Sequence, residues 1–184
     1  MRVKAARALG GDDGIEGPFT SRKLTMYQKI LVPIDGSATS ARGLQEAIKL
    51  AKLTGAKLRL MHVVDQISFA VGMEAATMVT GEMMQMLREG GEQLLKKAQA
   101  RVEKAGVRVD TVLCDGIAGR VCDLVVEQAE SWRAGLIVLG THGRRGFGRL
   151  LMGSDAEMIV RMATVPVLLV RAKEAGAAEA TPAS

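Results

Sequence analysis

Two kinds of apolar pattern alternate along the chain. One is a short continuous run of apolar residues, and the other is a stretch in which apolar residues recur with the spacing of a helix. Runs rich in β-branched residues, which predict buried strands, occupy 29–34, 58–64, 107–114, 136–139 and 165–170. Between these runs, apolar residues recur at spacings of three and four, as in the stretch 44–51, which predicts amphipathic helices. Uniformly apolar strands separated by helices are typical of a parallel sheet that is covered on both faces. The pattern therefore predicts one doubly wound α/β domain with five strands, in which the more alternating run 107–114 lies at an edge.

The two ends of the chain lack this periodicity. Residues 1–25 are polar and rich in glycine, and they cannot bury enough apolar area to order themselves, so we expect a disordered extension or a leader. Residues 173–184 are expected to form a loose tail of alanine and small polar residues. The folded domain is therefore predicted to span 26–172.

Composition and charge exclude several classes of protein. The longest apolar run, 165–170, is far shorter than the roughly 20 residues of a membrane span, so no membrane partner is expected. Cys114 and Cys122 form neither a disulfide framework nor a CxxC pair, and no secretory segment opens the chain, which indicates a soluble protein of the reducing cytoplasm. The net charge is +5, but most lysines and arginines alternate with acidic residues along the predicted helices, as on a solvent-exposed helix face. No specific nucleic-acid partner is therefore predicted.

The segment 140–154 carries the densest signal for a functional site. It follows the fourth predicted strand, contains five glycines and three arginines, and ends where a helix is predicted to begin at Ser154. A glycine-rich turn that opens a helix offers free N–H donors and the positive helix end to an anion, which predicts a phosphate site. In that site the Ser154 hydroxyl would either cap the helix or bind a phosphate oxygen. A flexible connection with Ser154 as an ordinary N-cap is the alternative interpretation.

Two other phosphate-binding motifs fit this chain poorly. The spacing from Gly148 to Gly153 and Ser154 matches a fragment of the P-loop, but Ser154 stands where the P-loop has its lysine. No G-x-G-x-x-G follows the first predicted strand, as a dinucleotide dehydrogenase would require. Neither a P-loop NTPase nor a dinucleotide dehydrogenase is therefore predicted.

Several motifs resemble one known family. The pattern G-x2-G-x9-G-S at 140–154 resembles the ATP-binding signature of the universal stress protein family, and KILVPIDGS at 29–37 resembles the first strand and turn of that family. The runs at 60–65 and 165–170 resemble its second and last strands. The resemblance covers about 26–171. It implies a sheet of order 3-2-1-4-5, a homodimer joined through the last strand (Val165 to Val170) and, in one branch of the family, a bound adenine nucleotide, either ATP or AMP, with or without Mg²⁺.

The resemblance also implies where the nucleotide lies. In a sheet of that order, the first and fourth strands are neighbours whose following helices cover opposite faces, and ligands bind at the carboxyl ends of such a strand pair. Asp35 would accept hydrogen bonds from the ribose, although a role at the start of the first helix is the alternative. His62 is expected to pack at a strand end, with a role in the cleft as the alternative. The implied site residues are Pro33, Ile34, Asp35 and Val63 around the nucleoside, Leu139 and Gly140 beside the sugar and α-phosphate, and Gly143, Gly153, Ser154, Asp155 and Ala156 around the phosphates.

The function implied by the resemblance is that of a cytoplasmic adenine-nucleotide-binding regulator of the stress response, with an unidentified protein partner. At most slow ATP hydrolysis is expected, because the segment 140–154 contains no lysine for a γ-phosphate and no residue placed as a water-activating base. The carboxylate of Asp155 would weaken a phosphate site unless it faces outward or shares a divalent ion, and three nearby arginines (144, 145 and 149) are available to offset it. A dimeric interaction module of the same fold that binds no nucleotide is the alternative.

Overall fold

The strands and helices alternate along the chain as the apolar pattern predicts. The computed structural model describes residues 27–64, 81–115, 119–141 and 153–171, so the predicted extension and tail lie outside the described residues. The elements in chain order are β1 (Lys29–Pro33), α1 (Ala38–Thr54), β2 (Lys57–Val64), α2 (Gly81–Lys104), β3 (Val109–Asp115), α3 (Val121–Ser131), β4 (Leu136–Thr141), α4 (Ser154–Met162) and β5 (Val167–Arg171). None of the helices in the described ranges combines the length and the hydropathy of a transmembrane helix.

The five strands form one parallel sheet with the order β3-β2-β1-β4-β5. This order confirms the arrangement 3-2-1-4-5, and β3 lies at an edge as its alternating pattern predicts. The central strand β1 pairs with β2 on one side and with β4 on the other. The carboxyl ends of β1 and β4 therefore lie side by side.

Successive residues of each strand belong to two separate hydrophobic cores. Ile30 and Val32 are fully buried in a core shared with α1 and α2, whereas Leu31 is fully buried in a core shared with α3 and α4. Burial of each such side chain contributes roughly 1.5–3 kcal/mol, which explains why the strands are apolar on both faces. Because α1 follows β1 and α4 follows β4, the helices that leave these two neighbouring strands cover opposite faces of the sheet.

The predicted boundaries of the last two strands are wrong by two residues. Gly140 and Thr141, which were expected in the glycine-rich turn, belong to β4 and pair with β5. The strand β5 begins at Val167 rather than two residues earlier, because Pro166 has no N–H to donate to a ladder. Pro166 contributes only its carbonyl oxygen, which accepts a hydrogen bond from the Ile137 N–H at 3.0 Å.

Charged side chains form ion pairs with one another at the amino ends of the strands. The Asp110 carboxylate lies 2.6 Å from Arg59 Nε and 2.6 Å from Lys57 Nζ. Burial raises the pKa of Asp110, but the hydrogen bonds from Arg59 and Lys57 outweigh it and bring the pKa below its ordinary value. Arg59 also lies over the ring of Trp132, 4.5 Å from the centroid, while Lys29 donates to the Trp132 carbonyl at 3.0 Å. Lys29, Lys57 and Arg59 thus form interactions within the domain itself.

The start of α1 crosses the end of β4 at very short range. A Cβ atom at Gly140 would overlap the carbonyl oxygen of Thr39 and lie 2.7 Å from the backbone nitrogen of Ser40. A Cβ atom at Gly43 would lie 2.9 Å from the backbone nitrogen of Gly140. These obstacles are backbone atoms, which cannot rotate away as a flexible side chain can. Glycine at both positions therefore lets α1 begin directly against the end of β4.

We expect Gly140→Ala to lower the free energy of unfolding of the ligand-free protein by about 3 kcal/mol, the upper end of the usual cost of overpacking. Urea denaturation without nucleotide measures this change. Gly90→Ala is the matched control, because its Cβ atom would meet nothing within 4 Å and alanine stabilises a helix by about 1 kcal/mol relative to glycine. An unchanged stability of Gly140→Ala would contradict the packing role and would leave only a role in making room for a ligand.

Candidate functional site

A cavity of about 350 Å³ opens at the carboxyl ends of β1 and β4. This volume lies in the range of small-molecule sites, which is about 300–1,000 Å³. Gly143 of the predicted site lies outside the described residues. The cavity is lined by the other ten predicted site residues, which are Pro33, Ile34, Asp35, Val63, Leu139, Gly140, Gly153, Ser154, Asp155 and Ala156.

The cavity wall also includes residues that the sequence reasoning missed. Three of them are buried polar residues, Thr39, Ser40 and Thr141. The spacing of serines at 37 and 40 is a local signal of a helix start, but nothing local indicates that α3 contributes Val121 and Val125 from the other side of the sheet. His62, expected chiefly to pack at a strand end, lines the cavity as well. The remaining lining residues are apolar, namely Met61 and Ile159.

The turn between β1 and α1 fixes one wall of the cavity. Ser37 is the N-cap of α1, and its hydroxyl oxygen accepts a hydrogen bond from the Ser40 N–H at 3.0 Å. Gly36 has φ of +81°, a left-handed conformation that favours glycine. Asp35 Oδ1 accepts a hydrogen bond from the Ser37 N–H at 2.8 Å. The helix-start role of Asp35 is therefore present in the structure, and it leaves acceptor capacity, because a carboxylate has about four acceptor sites.

Asp35 places a negative charge at this wall. Partial burial raises the pKa of Asp35, but hydrogen bonds from the hydroxyls of Ser37 and Ser40 and from the Ser37 N–H outweigh it and bring the pKa below its ordinary value of 3.8. The carboxylate is therefore ionised at neutral pH. An ionised carboxylate is a strong acceptor for hydroxyl donors and repels phosphate groups.

The start of α4 fixes the opposite wall. Gly153 is the N-cap in an extended conformation, with φ of −56° and ψ of 148°, and Ser154 is the first helical residue. Gly153 takes the cap position and has no side chain to cap the helix, so the interpretation of Ser154 as an ordinary N-cap is wrong. The first intrahelical bond within the described residues runs from the Glu157 N–H to the Gly153 carbonyl at 3.0 Å. The N–H groups that precede it have no intrahelical acceptor and are available to an anion.

Asp155 adds a carboxylate beside these N–H groups, and it is exposed. Among the described residues, Arg120, the N-cap residue of α3, is a cation that interacts with Asp155, and the sequence reasoning missed it. The hydrogen bond to Asp123, at 2.9 Å, is the main cause that raises the pKa of Arg120, and the charge of Asp155 contributes further. The three arginines that were expected to offset Asp155 lie outside the described residues.

Protonation of Asp35 is expected to reduce the stability of the folded protein. Because the folded-state pKa of Asp35 is lowered, its stabilising contribution is present above the ordinary value of 3.8 and is lost as the pH falls through the folded-state pKa. We therefore expect wild type to be more stable than Asp35→Asn by a constant amount from pH 7 to about pH 5, and the difference to shrink below about pH 4. Urea denaturation across this range measures both proteins. A difference that persists unchanged to pH 3 would contradict the lowered pKa.

Comparison with known proteins gives the same architecture. The family model of the universal stress protein family matches residues 26–171. Universal stress protein MJ0531 of Methanocaldococcus jannaschii is 37% identical over 147 residues, which cover 79% of this chain and 83% of MJ0531. The crystal structure of a universal stress protein family member from Burkholderia pseudomallei has 31% identity and a TM-score of 0.65, and it covers 80% of this chain and 98% of that chain.

Two more distant structures share the fold and contain adenine nucleotides. A universal stress protein in complex with cAMP has 23% identity and a TM-score of 0.55, covering 80% of this chain and 98% of that chain. A universal stress protein from Archaeoglobus fulgidus in complex with dAMP has 21% identity and a TM-score of 0.54, covering 78% of this chain and 98% of that chain. At these identities the similarity concerns the fold alone. The family model and the relative MJ0531 carry the conclusion that this chain belongs to the universal stress protein family.

Proposed function

We propose that this protein is a cytoplasmic regulator of the stress response that binds an adenine nucleotide, ATP or AMP, in the cavity between β1 and β4. The observation that carries the proposal is the placement of two unlike groups in the lining of one cavity. One wall has the ionised carboxylate of Asp35, and the other has the uncapped amino end of α4. A nucleotide has hydroxyl donors at its sugar and negative charge at its phosphates, which matches these two walls.

The amino end of α4 is the proposed phosphate site. Ser154, Asp155 and Ala156 line the cavity, their N–H groups belong to the first turn of a helix whose N-cap is glycine, and the helix dipole adds partial positive charge there. The space around Gly153 is open within the described residues, because a Cβ atom there would meet nothing within 4 Å. Gly143 is proposed to complete the phosphate site from the sequence motif alone. If Asp155 faces a bound phosphate, its charge opposes binding of the more highly charged ATP, unless Mg²⁺ bridges the two.

The β1 side of the cavity is the proposed nucleoside site. Asp35 is proposed to accept hydrogen bonds from the ribose hydroxyls, with Pro33 and Ile34 lining the nucleoside. Val63, near the end of β2, is proposed to meet the adenine through its backbone. Leu139 and Gly140, at the end of β4, are proposed to flank the sugar and the α-phosphate. All of these residues line the same cavity, which supports a single binding mode.

The proposed role is binding with at most slow hydrolysis. Phosphoryl transfer depends on positioning and on neutralisation of charge at the γ-phosphate. The segment 140–154 contains no lysine for that purpose, and the carboxylate of Asp155 adds charge of the wrong sign. The cAMP and dAMP complexes of distant structures support the view that this fold can hold an adenine nucleotide.

We expect adenine nucleotides to stabilise the protein more than GTP does. A ligand at 100 times its dissociation constant adds about 2.7 kcal/mol to the free energy of unfolding, which raises the Tm of a domain of this size by several degrees. Thermal unfolding with adenosine, AMP, ATP and GTP, each with and without Mg²⁺, measures the effect. Shifts with GTP as large as those with ATP would contradict the preference for adenine, and the absence of any shift would favour the interaction module that binds no nucleotide.

Two substitutions at Ser154 test whether the phosphates bind at the start of α4. Ser154→Ala removes only the hydroxyl, whereas Ser154→Pro also removes the N–H at a helix position that tolerates proline. A hydrogen bond to a charged group contributes about 1.5–3 kcal/mol, so Ser154→Pro is expected to weaken AMP binding by about tenfold or more. Adenosine is the matched control ligand, and its affinity should not change. Equal losses for adenosine and AMP would contradict the placement of the phosphates at α4.

The edge strand β5 is proposed to join two copies of the chain. An exposed strand edge can pair with a strand of another molecule, and Leu168 on β5 is 37% exposed. We expect Leu168→Arg to convert a dimer into a monomer, because it places a charge in the proposed interface. Light scattering after size-exclusion chromatography measures the mass. Leu53→Arg on α1, where leucine is 78% exposed, is the matched control and should leave the mass unchanged. A dimeric Leu168→Arg variant would contradict this interface.

A further inference from the structure

The imidazole of His62 lies where β1, β2 and α2 meet. Its Nδ1 is 2.8 Å from the carbonyl oxygen of Ile34, the residue that follows β1. Because a carbonyl oxygen only accepts hydrogen bonds, Nδ1 carries the proton in this contact. The Ile34 N–H in turn donates to the Met61 carbonyl at 2.8 Å. The N–H and the carbonyl group of Ile34 are thus hydrogen-bonded to two adjacent residues of β2. Met61 uses its backbone carbonyl, and His62 uses its side chain.

Helix α2 closes the other side of the imidazole. A Cβ atom at Gly91 would lie 2.7 Å from Cδ2 of His62 and 2.8 Å from Cδ1 of Leu113. Gly91 is buried, whereas the neighbouring Gly90 is exposed and would meet nothing within 4 Å. Of the two consecutive glycines, Gly91 is therefore the one that lets α2 lie directly on the ring. The ring is held between α2 and the carbonyl oxygen of Ile34.

The residue after Ile34 is Asp35, the carboxylate of the cavity wall. From the α1 side, Asp35 is held by the Ser37 N–H at 2.8 Å and by its own N–H, which lies 3.4 Å from Ser40 Oγ. From the β2 side, it is held through the hydrogen bond of His62 to Ile34. His62 also lines the cavity itself.

We propose that His62 is a positioning residue of the site: its imidazole fixes Asp35 for the ribose and couples the site to the seating of α2 on the sheet. This inference rests on the proposed nucleotide-binding function. Because coupling between two equilibria is reciprocal, a nucleotide that requires a fixed Asp35 also stabilises α2 in its seat. Binding in the cavity would then change the stability of α2, whose surface includes the exposed side chain of Met86.

Two variants of His62 test the hydrogen bond. The amide nitrogen of asparagine stands at the same number of bonds from the backbone as Nδ1, so His62→Asn can still donate to Ile34, whereas His62→Leu cannot. One hydrogen bond corresponds to a change in affinity of several-fold to about tenfold. We expect His62→Leu to weaken both adenosine and AMP by this factor, because Asp35 meets the ribose of each. His62→Asn should restore most of the affinity. Unchanged adenosine binding by His62→Leu, or no rescue by His62→Asn, would overturn the positioning role.

The glycine pair tests the coupling to α2 with a matched control. Gly91 does not line the cavity, yet Gly91→Ala is expected to weaken adenosine several-fold, because the added methyl group displaces the ring or the helix. Gly90→Ala, one residue away, should leave adenosine affinity unchanged. Equal affinities of the two variants would overturn the coupling.

A readout without nucleotide separates this inference from the proposed function. In the ligand-free protein, ¹⁵N NMR of the neutral imidazole should show the proton on Nδ1 of His62, and a proton on Nε2 alone would overturn the hydrogen bond. Should wild type bind no adenine nucleotide, the proposed function fails and the positioning role fails with it. Should wild type bind adenosine and His62→Leu bind it equally well, only the positioning role fails.

Discussion

The close backbone contact between the start of α1 and the end of β4 is the constraint on which the rest of the site depends. Gly43 and Gly140 remove the two Cβ atoms that would separate the helix from the strand. The pairing of β1 with β4 brings the ends of these strands together, and the two glycines let the helix that follows β1 pack directly against β4. A Cβ atom at either position would push the start of α1 away from β4, together with the turn that contains Asp35. The same close packing therefore bears on the fold and on the wall of the cavity.

Two of the helices that start at the cavity, α1 and α4, differ in how their first N–H groups are used. At α1, the Ser37 hydroxyl accepts a hydrogen bond from the Ser40 N–H, and Asp35 accepts one from the Ser37 N–H. Side chains thus provide acceptors for N–H groups at this end of the helix. At α4, Gly153 stands at the cap position and offers no side chain. Within the described residues, the cavity therefore has a carboxylate acceptor at the start of α1 and helix N–H groups without a cap side chain at the start of α4, and this asymmetry would give a nucleotide in the proposed site one preferred direction.

The order of elements was predictable because it depends on local patterns. Residues such as Ile30, Leu31 and Val32 are buried on both faces, and a continuous apolar run expresses that directly. The role of Gly140 was not predictable, because a glycine required by a helix one hundred residues earlier looks the same as a glycine in a turn. The same holds for the neighbours Gly90 and Gly91, of which only one meets other residues. Contacts that depend on how distant elements pack leave no local signal in the sequence.

Most of the groups that face the cavity are fixed parts of the backbone or are tied to it. Asp35 is held from both sides, and the N–H groups of α4 belong to a helix. Fixed groups of this kind would bind a nucleotide equally well before and during any reaction, and uniform binding lowers the dissociation constant without accelerating chemistry. Rigid recognition of this kind suits a protein whose output is the difference between an empty and an occupied site. In the proposed coupling, the contact of His62 with α2 would be the physical connection through which occupancy reaches the surface of the molecule.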